Sequence, residues 1–149
     1  MKKKTNKKKK NYVFTGLGFP IVIAEVEVRP HGDDFYPVIN TRRLEDAVFD
    51  YLIDHPIPLT GSQITFIRKY MDMTQQAFAK VLDLSNHSRV SQWEKAKDKI
   101  ADVRPVYLAV LRARMAKYRG RATLDTDFLT RMVEGVFEKP KTIKFDSVA

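Results

Sequence analysis

The sequence predicts an α+β protein: a small N-terminal antiparallel β-sheet with one helix, followed by a bundle of about five helices. Three observations support this division. Residues 19–28 and 35–39 read as strands on either side of turn-forming residues. From Asn40 onward, apolar residues recur at spacings of three and four, the period of a helix. The helical stretches are short, and each is bounded by a capping residue, a proline or a glycine.

Residues 1–10 hold seven lysines and no acid, so most of the net charge of +9 sits there and the rest of the chain is nearly balanced. Such a run reads as a disordered basic arm, either passive or adding non-specific affinity for phosphates. Residues 11–56 form the predicted N-terminal unit. Within 19–28, Val22, Ala24, Val26 and Val28 make one apolar face. The other face, Ile21, Ile23, Glu25 and Glu27, turns acidic toward its end, as in a half-buried strand. Arg29-Pro30-His31-Gly32-Asp33-Asp34 is turn chemistry. Pro37 places the strand beyond it at an edge or ends it early. Tyr12-Val13-Phe14 supplies a third short strand. Asn40 or Thr41 caps a helix to about Asp54, with Leu44, Val48, Tyr51 and Leu52 on one face, and the prolines of His55-Pro56-Ile57-Pro58 stop it.

Residues 57–120 form the second predicted unit and carry the most informative stretch. Three short apolar-periodic segments follow one another. Thr60 caps the first, with Ile64, Ile67 and Met71 at helical spacing. Thr74 caps the second, with Phe78, Val81 and Leu82 on one face. The third opens after Asp83-Leu84-Ser85 and turns Val90 and Trp93 inward. Three such helices with tight connections make a helix-turn-helix arrangement. Met73-Thr74-Gln75-Gln76-Ala77-Phe78-Ala79 and Val90-Ser91-Gln92-Trp93-Glu94 resemble the second- and third-helix signatures of the Cro/C1-type (XRE) helix-turn-helix family. The connection between them, within residues 83–88, is one residue longer than the family's usual one.

The resemblance implies binding to double-stranded operator DNA. The solvent side of the third helix carries Asn86, His87, Ser88, Arg89, Ser91 and Gln92, hydrogen-bonding side chains of the kind that reach base edges in a major groove. By their positions in the family pattern, His87, Ser88 and Gln92 face base edges, and Asn86 and Arg89 reach bases or phosphates. Gln75, with Gln76 beside it, anchors to a phosphate at the start of the second helix. Lys95 and Lys97 lie in a loop, residues 95–100, where lysines can meet phosphates. Trp93 is expected in the core, and Glu94 is expected to brace the third helix against a neighbouring cation.

A narrower resemblance covers roughly residues 12–118. Tyr12, Thr15-Gly16-Leu17, the strand pair, the helix from Asn40 and the run Pro58-Leu59-Thr60-Gly61-Ser62-Gln63-Ile64-Thr65-Phe66-Ile67-Arg68-Lys69-Tyr70 follow one another as in the MqsA (YgiT-like) antitoxins. This resemblance implies a repressor of its own operon that also neutralises a protein toxin, a small ribonuclease. The family's zinc-binding Cys-x-x-Cys pairs have no counterpart, since the chain has no cysteine. His31, Asp33 and Asp34 in a turn, without a thiolate, are a poor zinc site, so no structural metal and no cofactor are expected.

Residues 121–149 are predicted as a C-terminal helix and tail. Before them, Tyr107, Leu108, Leu111 and Met115 stripe a helix that starts near Asp102 or Pro105 and ends at Gly120. Arg104, Arg112, Arg114, Lys117, Arg119 and Arg121 form a basic run without acids, read either as a solvated face or as a surface for DNA backbone or an acidic partner. Asp125 or Thr126 caps a last helix to about Glu138. Its wide stripe, Phe128, Leu129, Met132, Val133, Val136 and Phe137, is buried either in its own domain or in a homodimer contact. A short strand at residues 142–145 is one reading of the tail.

Absent cysteine excludes disulfides and thiolate metal sites. No apolar run is long enough to span a bilayer, and no signal-peptide core follows the lysines, so a cytoplasmic address is expected. There is no glycine-rich phosphate loop, the three histidines lie in separate segments, and the paired acids sit at turns and caps, so enzyme activity is not expected. The alternatives to a repressor-antitoxin are a protein-binding module that docks a partner through the N-terminal unit or last helix, and a solitary Cro/C1-type regulator without a toxin.

Overall fold

The computed structural model describes residues 5–122 and 124–147. It is a mixed α+β chain with six helices and four strands among these residues. Its chain divides into two compact units: one comprises Met1–Val48 with Lys141–Ala149, the other Phe49–Pro140. This departs from the predicted boundaries, because residues 141–147 belong with the N-terminal sheet rather than with a separate C-terminal segment.

The first unit is built on its central strand. Strand β1 (Lys7–Phe14) pairs antiparallel with β2 (Ile21–His31), and β2 pairs antiparallel with β3 (Asp34–Pro37) through the two-residue turn Gly32-Asp33. Gly32 takes a positive φ of 61° there, which glycine adopts without steric cost. On the other side of the sheet order, β4 (Ile143–Phe145) lies parallel to β2, with Ile21 opposite Ile143 and Ile23 opposite Phe145. The sheet is therefore mixed, not purely antiparallel as predicted.

Two further expectations for this unit are corrected. Residues 7–10 of the predicted disordered arm are strand; the expectation for residues 1–4 lies outside the described residues. The lysines meet partners on both neighbouring strands: Lys8 meets Glu25 of β2 at 3.1 Å, and the Lys7 ammonium stands 4.9 Å from the centre of the Phe35 ring of β3. The buried positions of β2 are Ile21, Ile23, Val26 and Val28, so burial changes phase along the strand instead of keeping to the even positions. The change falls at Ala24–Glu25, beside Asn11 of β1, whose φ of 52° breaks the regular pleat of the neighbouring strand.

Helix α1 (Thr41–Asp54) runs from the first unit into the second. Asn40, not Thr41, caps it, its side-chain oxygen accepting from the Arg43 amide at 3.1 Å. Its buried residues include Phe49 and Ile53 alongside Leu44, Val48 and Leu52, whereas Tyr51 is half-exposed and stacks on His55.

The second unit holds α2 (Gly61–Tyr70), α3 (Gln75–Val81), α4 (Ser88–Lys95), α5 (Pro105–Tyr118) and α6 (Thr126–Val133). Thr60 and the side chain of Gln63 make a capping box on α2, and Thr74 accepts from the Ala77 amide to cap α3. Asp72 and Asp83 end these two helices with positive φ, and the amides that follow reach back to Arg68 and Ala79 carbonyls in the six-residue closure of a Schellman motif. Tight ends of this kind keep the three helices as separate short rods. Ile64, Ile67, Phe78, Ala79, Val90 and Trp93 form their shared core, and Phe49 stacks on Tyr70 at 4.0 Å between ring centres.

Arg112 is the one charged residue buried completely among the described residues. Its guanidinium donates to the carbonyls of Leu52 (3.0 Å), His55 (3.3 Å) and Ile57 (2.7 Å), at the C-terminal end of α1, where free carbonyls and the helix dipole favour a cation. Burial pushes it down to about 9, which still leaves it protonated at neutral pH. This overturns the reading of Arg112 as part of a surface basic patch. Arg119 and Arg121 are held by Asp50 and Asp54, so the exposed remainder of that run is Arg104, Arg114 and Lys117.

Asp125 caps α6, which stops at Val133 and not near Glu138, because Gly135 turns the chain with a φ of 80°. Of the apolar stripe, Met132 is buried, while Val133 and Val136 stay 48% and 45% exposed. No helix among the described residues is long and apolar enough to cross a membrane.

Candidate functional site

The ten residues singled out in the sequence lie in the second unit, on α3, on α4 and in the turns that flank α4. Helix α4 begins at Ser88, which settles the longer connection: Asn86 and His87 stand before the helix, not on it. Asn86 accepts the Ser88 amide in its side-chain oxygen at 2.9 Å, and the His87 carbonyl accepts the Ser91 amide. Together they start the helix where its first amides need acceptors. From there the period of the helix separates two sides. Val90 and Trp93 are buried, and Ser88, Arg89, Gln92 and Lys95 are exposed, with Ser91 half-buried between them.

Gln76 is exposed at the start of α3, but Gln75 is half-buried and donates a hydrogen bond to the Glu94 carboxylate. Its side chain therefore tethers α3 to α4, and only its backbone position remains near the helix start. Lys97 is exposed in the turn after α4 with a φ of 53°, and its carbonyl accepts the Ser62 amide at 2.9 Å.

What holds α4 in place is a polar cluster on its inner side. Arg68 of α2 grips Glu94 in a two-pronged pair, Nε to Oε2 and Nη2 to Oε1, both 2.8 Å, and its remaining nitrogen donates to the Met73 carbonyl. Thr65 donates to Glu94 Oε1 at 3.0 Å. Burial by itself raises the Glu94 carboxyl, but hydrogen bonds from Arg68, Thr65 and Gln75 outweigh it and hold the group below the ordinary carboxylate range. Glu94 thus braces α4 against a cation, Arg68.

A stability consequence follows with a defined sign. A depressed folded value means that Glu94 contributes fully above the unfolded carboxylate range, and that the contribution is lost as pH falls through the folded value. Glu94→Gln leaves Arg68, only 14% exposed, without its carboxylate. The variant is expected to be less stable at pH 7 by about 1–3 kcal/mol, the range for leaving a part-buried hydrogen-bonding group without its charged partner. In urea denaturation the gap between the two proteins should narrow by pH 3. A gap of equal size at both pH values would show that ionisation of Glu94 is not its source.

Gly61 fixes the other end of α4. Its amide donates to the Lys99 carbonyl, and a Cβ at Gly61 would lie 2.5 Å from the Trp93 carbonyl oxygen and 2.5 Å from the Lys97 amide nitrogen. The start of α2 and the end of α4 touch backbone to backbone.

Two more residues stand near α4, of which sequence reasoning marked only Arg104, within a basic run offered as a surface for DNA backbone or an acidic partner. Tyr107 of α5, expected in a buried stripe, is half-buried and accepts a long hydrogen bond of 3.4 Å from Arg89. Arg104, exposed just before α5, lines a cleft of about 340 Å³ together with Arg89, Gln92, Trp93, Asp102 and Tyr107. The signal was present only as Arg104 in a basic run; no local pattern ties it to Arg89. Among the described residues, no group of three or more His, Asp or Glu side chains is placed to hold a metal ion. The chain was compared with known proteins, and no family model, curated protein or solved structure matches it.

Proposed function

We propose that this protein is a sequence-specific DNA-binding transcriptional repressor that reads its operator with α4. The observation that carries the reading is the division of that helix. Its inner side is locked by Val90, Trp93 and the Arg68–Glu94 pair, while Ser88, Arg89, Gln92 and Lys95 project into solvent without a carboxylate among them. A helix so held presents hydrogen-bonding side chains in a fixed array, as reading base edges in a major groove requires. Gln92 suits adenine, which it can bond at two atoms, and a good pair of this kind discriminates by about 1–3 kcal/mol. Lys95, Lys97 and Gln76 stand at the margins, where phosphates run.

On the resemblance of the motifs to MqsA-like antitoxins, the repressor is further proposed to be the antitoxin of a type II pair that controls its own operon and neutralises a ribonuclease toxin. Paired half-sites would call for a homodimer, and the exposed Val133 and Val136 are the apolar surface that supports either self-association or docking of a partner protein.

A mobility-shift titration on the DNA upstream of the protein's own gene, at two salt concentrations, tests the central reading. Wild type should select that duplex over unrelated sequence, and a Ser88→Ala, Gln92→Ala double variant should lose the selectivity while remaining folded. If both proteins bind every duplex equally and release it with salt, the lysines supply the affinity and α4 reads nothing.

A further inference from the structure

We propose that Arg89, Tyr107 and Arg104 form a clamp for one DNA backbone phosphate, so that Arg89 sets the register of α4 instead of reading a base. This rests on the DNA-binding reading above and adds residues and a division of labour that it does not contain.

Arg89 and Tyr107 belong to two adjoining hollows. One is the cleft of about 340 Å³ shared with Gln92 and Arg104; the other, about 460 Å³, is also lined by Asp83, Ser85, Asn86 and Ser88. The Arg89 side chain thus reaches toward α5, where the Tyr107 oxygen accepts one of its protons. Ser88 and Gln92 lie four apart along the helix, and Arg89, between them in sequence, bonds to α5 instead.

The chemistry of the cleft is that of a phosphate. Two guanidinium groups line it against one carboxylate, Asp102, which leaves it net cationic. A guanidinium offers a planar fork of N–H donors that matches two phosphate oxygens, and Arg89 keeps such donors after its single bond to Tyr107. Because the Tyr107 oxygen is the acceptor in that bond, its own proton is free to go to a phosphate oxygen. The bond is long and exposed, so little is lost when Arg89 swings to share an anion with Tyr107. Gln92 lines the same cleft, which sets the two guanidinium groups next to a side chain proposed to read a base.

The test separates phosphate contacts from base contacts by their signatures. Operator affinity is measured for wild type, Arg89→Ala, Arg104→Ala, Tyr107→Phe and Gln92→Ala across a salt series and a panel of singly substituted operators. Arg89→Ala and Arg104→Ala should each weaken binding to every duplex about tenfold and reduce the slope of log affinity against log salt by about one, without changing the ranking of the panel. Arg89→Lys should keep the slope, and Gln92→Ala should flatten the ranking at one base pair while keeping the slope. A ranking altered by Arg89→Ala makes Arg89 a base reader and overturns the clamp; so does an unchanged slope. If wild type shows no operator preference at all, the DNA reading fails and the clamp with it, whereas preserved preference with an unchanged slope removes the clamp alone. Trp93, the single tryptophan, lines the same cleft and reports occupancy by fluorescence. Operator duplex should change its emission, and inorganic phosphate at equal ionic strength should not. A saturable response to inorganic phosphate would assign the cleft to a free anion and overturn the proposal.

Discussion

Arg112→Met should lower the stability of the protein by about 3 kcal/mol or more. The reasoning compares what is removed with what is left behind. Methionine fills much of the arginine's volume, so no large cavity opens, and a desolvated charge disappears, which is a gain in itself. Left behind are the carbonyls of Leu52 and Ile57, which accept from this one side chain at 3.0 and 2.7 Å, while the His55 carbonyl keeps the Ile57 amide as a donor. A buried acceptor without a partner costs about 1–3 kcal/mol, and both of the lost hydrogen bonds lie in fully buried surroundings. The net loss outweighs the gain from removing the charge. Urea unfolding followed by circular dichroism gives the answer: a midpoint within error of wild type would mean that the carbonyls find other donors and that Arg112 is not what closes the end of α1. Arg112→Lys should recover only part of the loss, because an ammonium cannot span three acceptors with the geometry of a guanidinium.

Gly61→Ala is the second large effect, and it has a functional readout as well as a structural one. A methyl at this position meets the Trp93 carbonyl oxygen and the Lys97 amide nitrogen at 2.5 Å and the Glu94 carbonyl oxygen at 2.8 Å. These are backbone atoms, so no side chain can step aside; the end of α4 or the start of α2 must move. Overpacking of this kind costs about 1–3 kcal/mol, occasionally more. The atoms displaced belong to the turn that positions Lys97 and to the last residues of α4, so, on the proposed DNA-binding function, operator affinity should fall at temperatures where the variant is still folded. A thermal midpoint and a mobility shift both equal to wild type would show that the contact is slack and that α4 is held by the Arg68–Glu94 pair alone.

How far the sequence revealed these features depended on how local their causes are. Thr60 and Thr74 were readable as caps because a cap is a contact between a side chain and amides two or three residues away. The inward turn of Val90 and Trp93 was readable from the helical period for the same reason. Lys7–Lys10 looked like a solvated arm because everything that makes them strand, Glu25, Glu27 and Phe35, lies elsewhere in the chain. The change of phase in β2 depends on a neighbouring strand and could not be read from β2. Arg112 carried no sign of burial: it sits among Arg104, Arg114 and Arg119, and only the fold tells it apart from them. The same holds for Gly61, whose neighbours in sequence suggest a helix start and say nothing of the backbone that closes on it. At the candidate site the side chains facing solvent were legible, while the tie of Gln75 to Glu94 and the meeting of Arg89 with Tyr107 are long-range events.

The parallel pairing of β4 with β2 bears on how the chain is made. Synthesis proceeds from the N-terminus, so β2 emerges with the edge that Ile143, Lys144 and Phe145 will occupy still open. The whole of Phe49–Pro140 is translated before that edge can be covered. Bringing the two strands together closes a very long loop, which makes this pairing entropically the most expensive step in the sheet and a slow one. An open edge bearing Ile21, Val22 and Ile23 is a site for pairing with another nascent chain. The order of events on the ribosome therefore leaves the α4-bearing unit free to fold early, while the sheet waits, exposed to mispairing, for three residues made only after that unit.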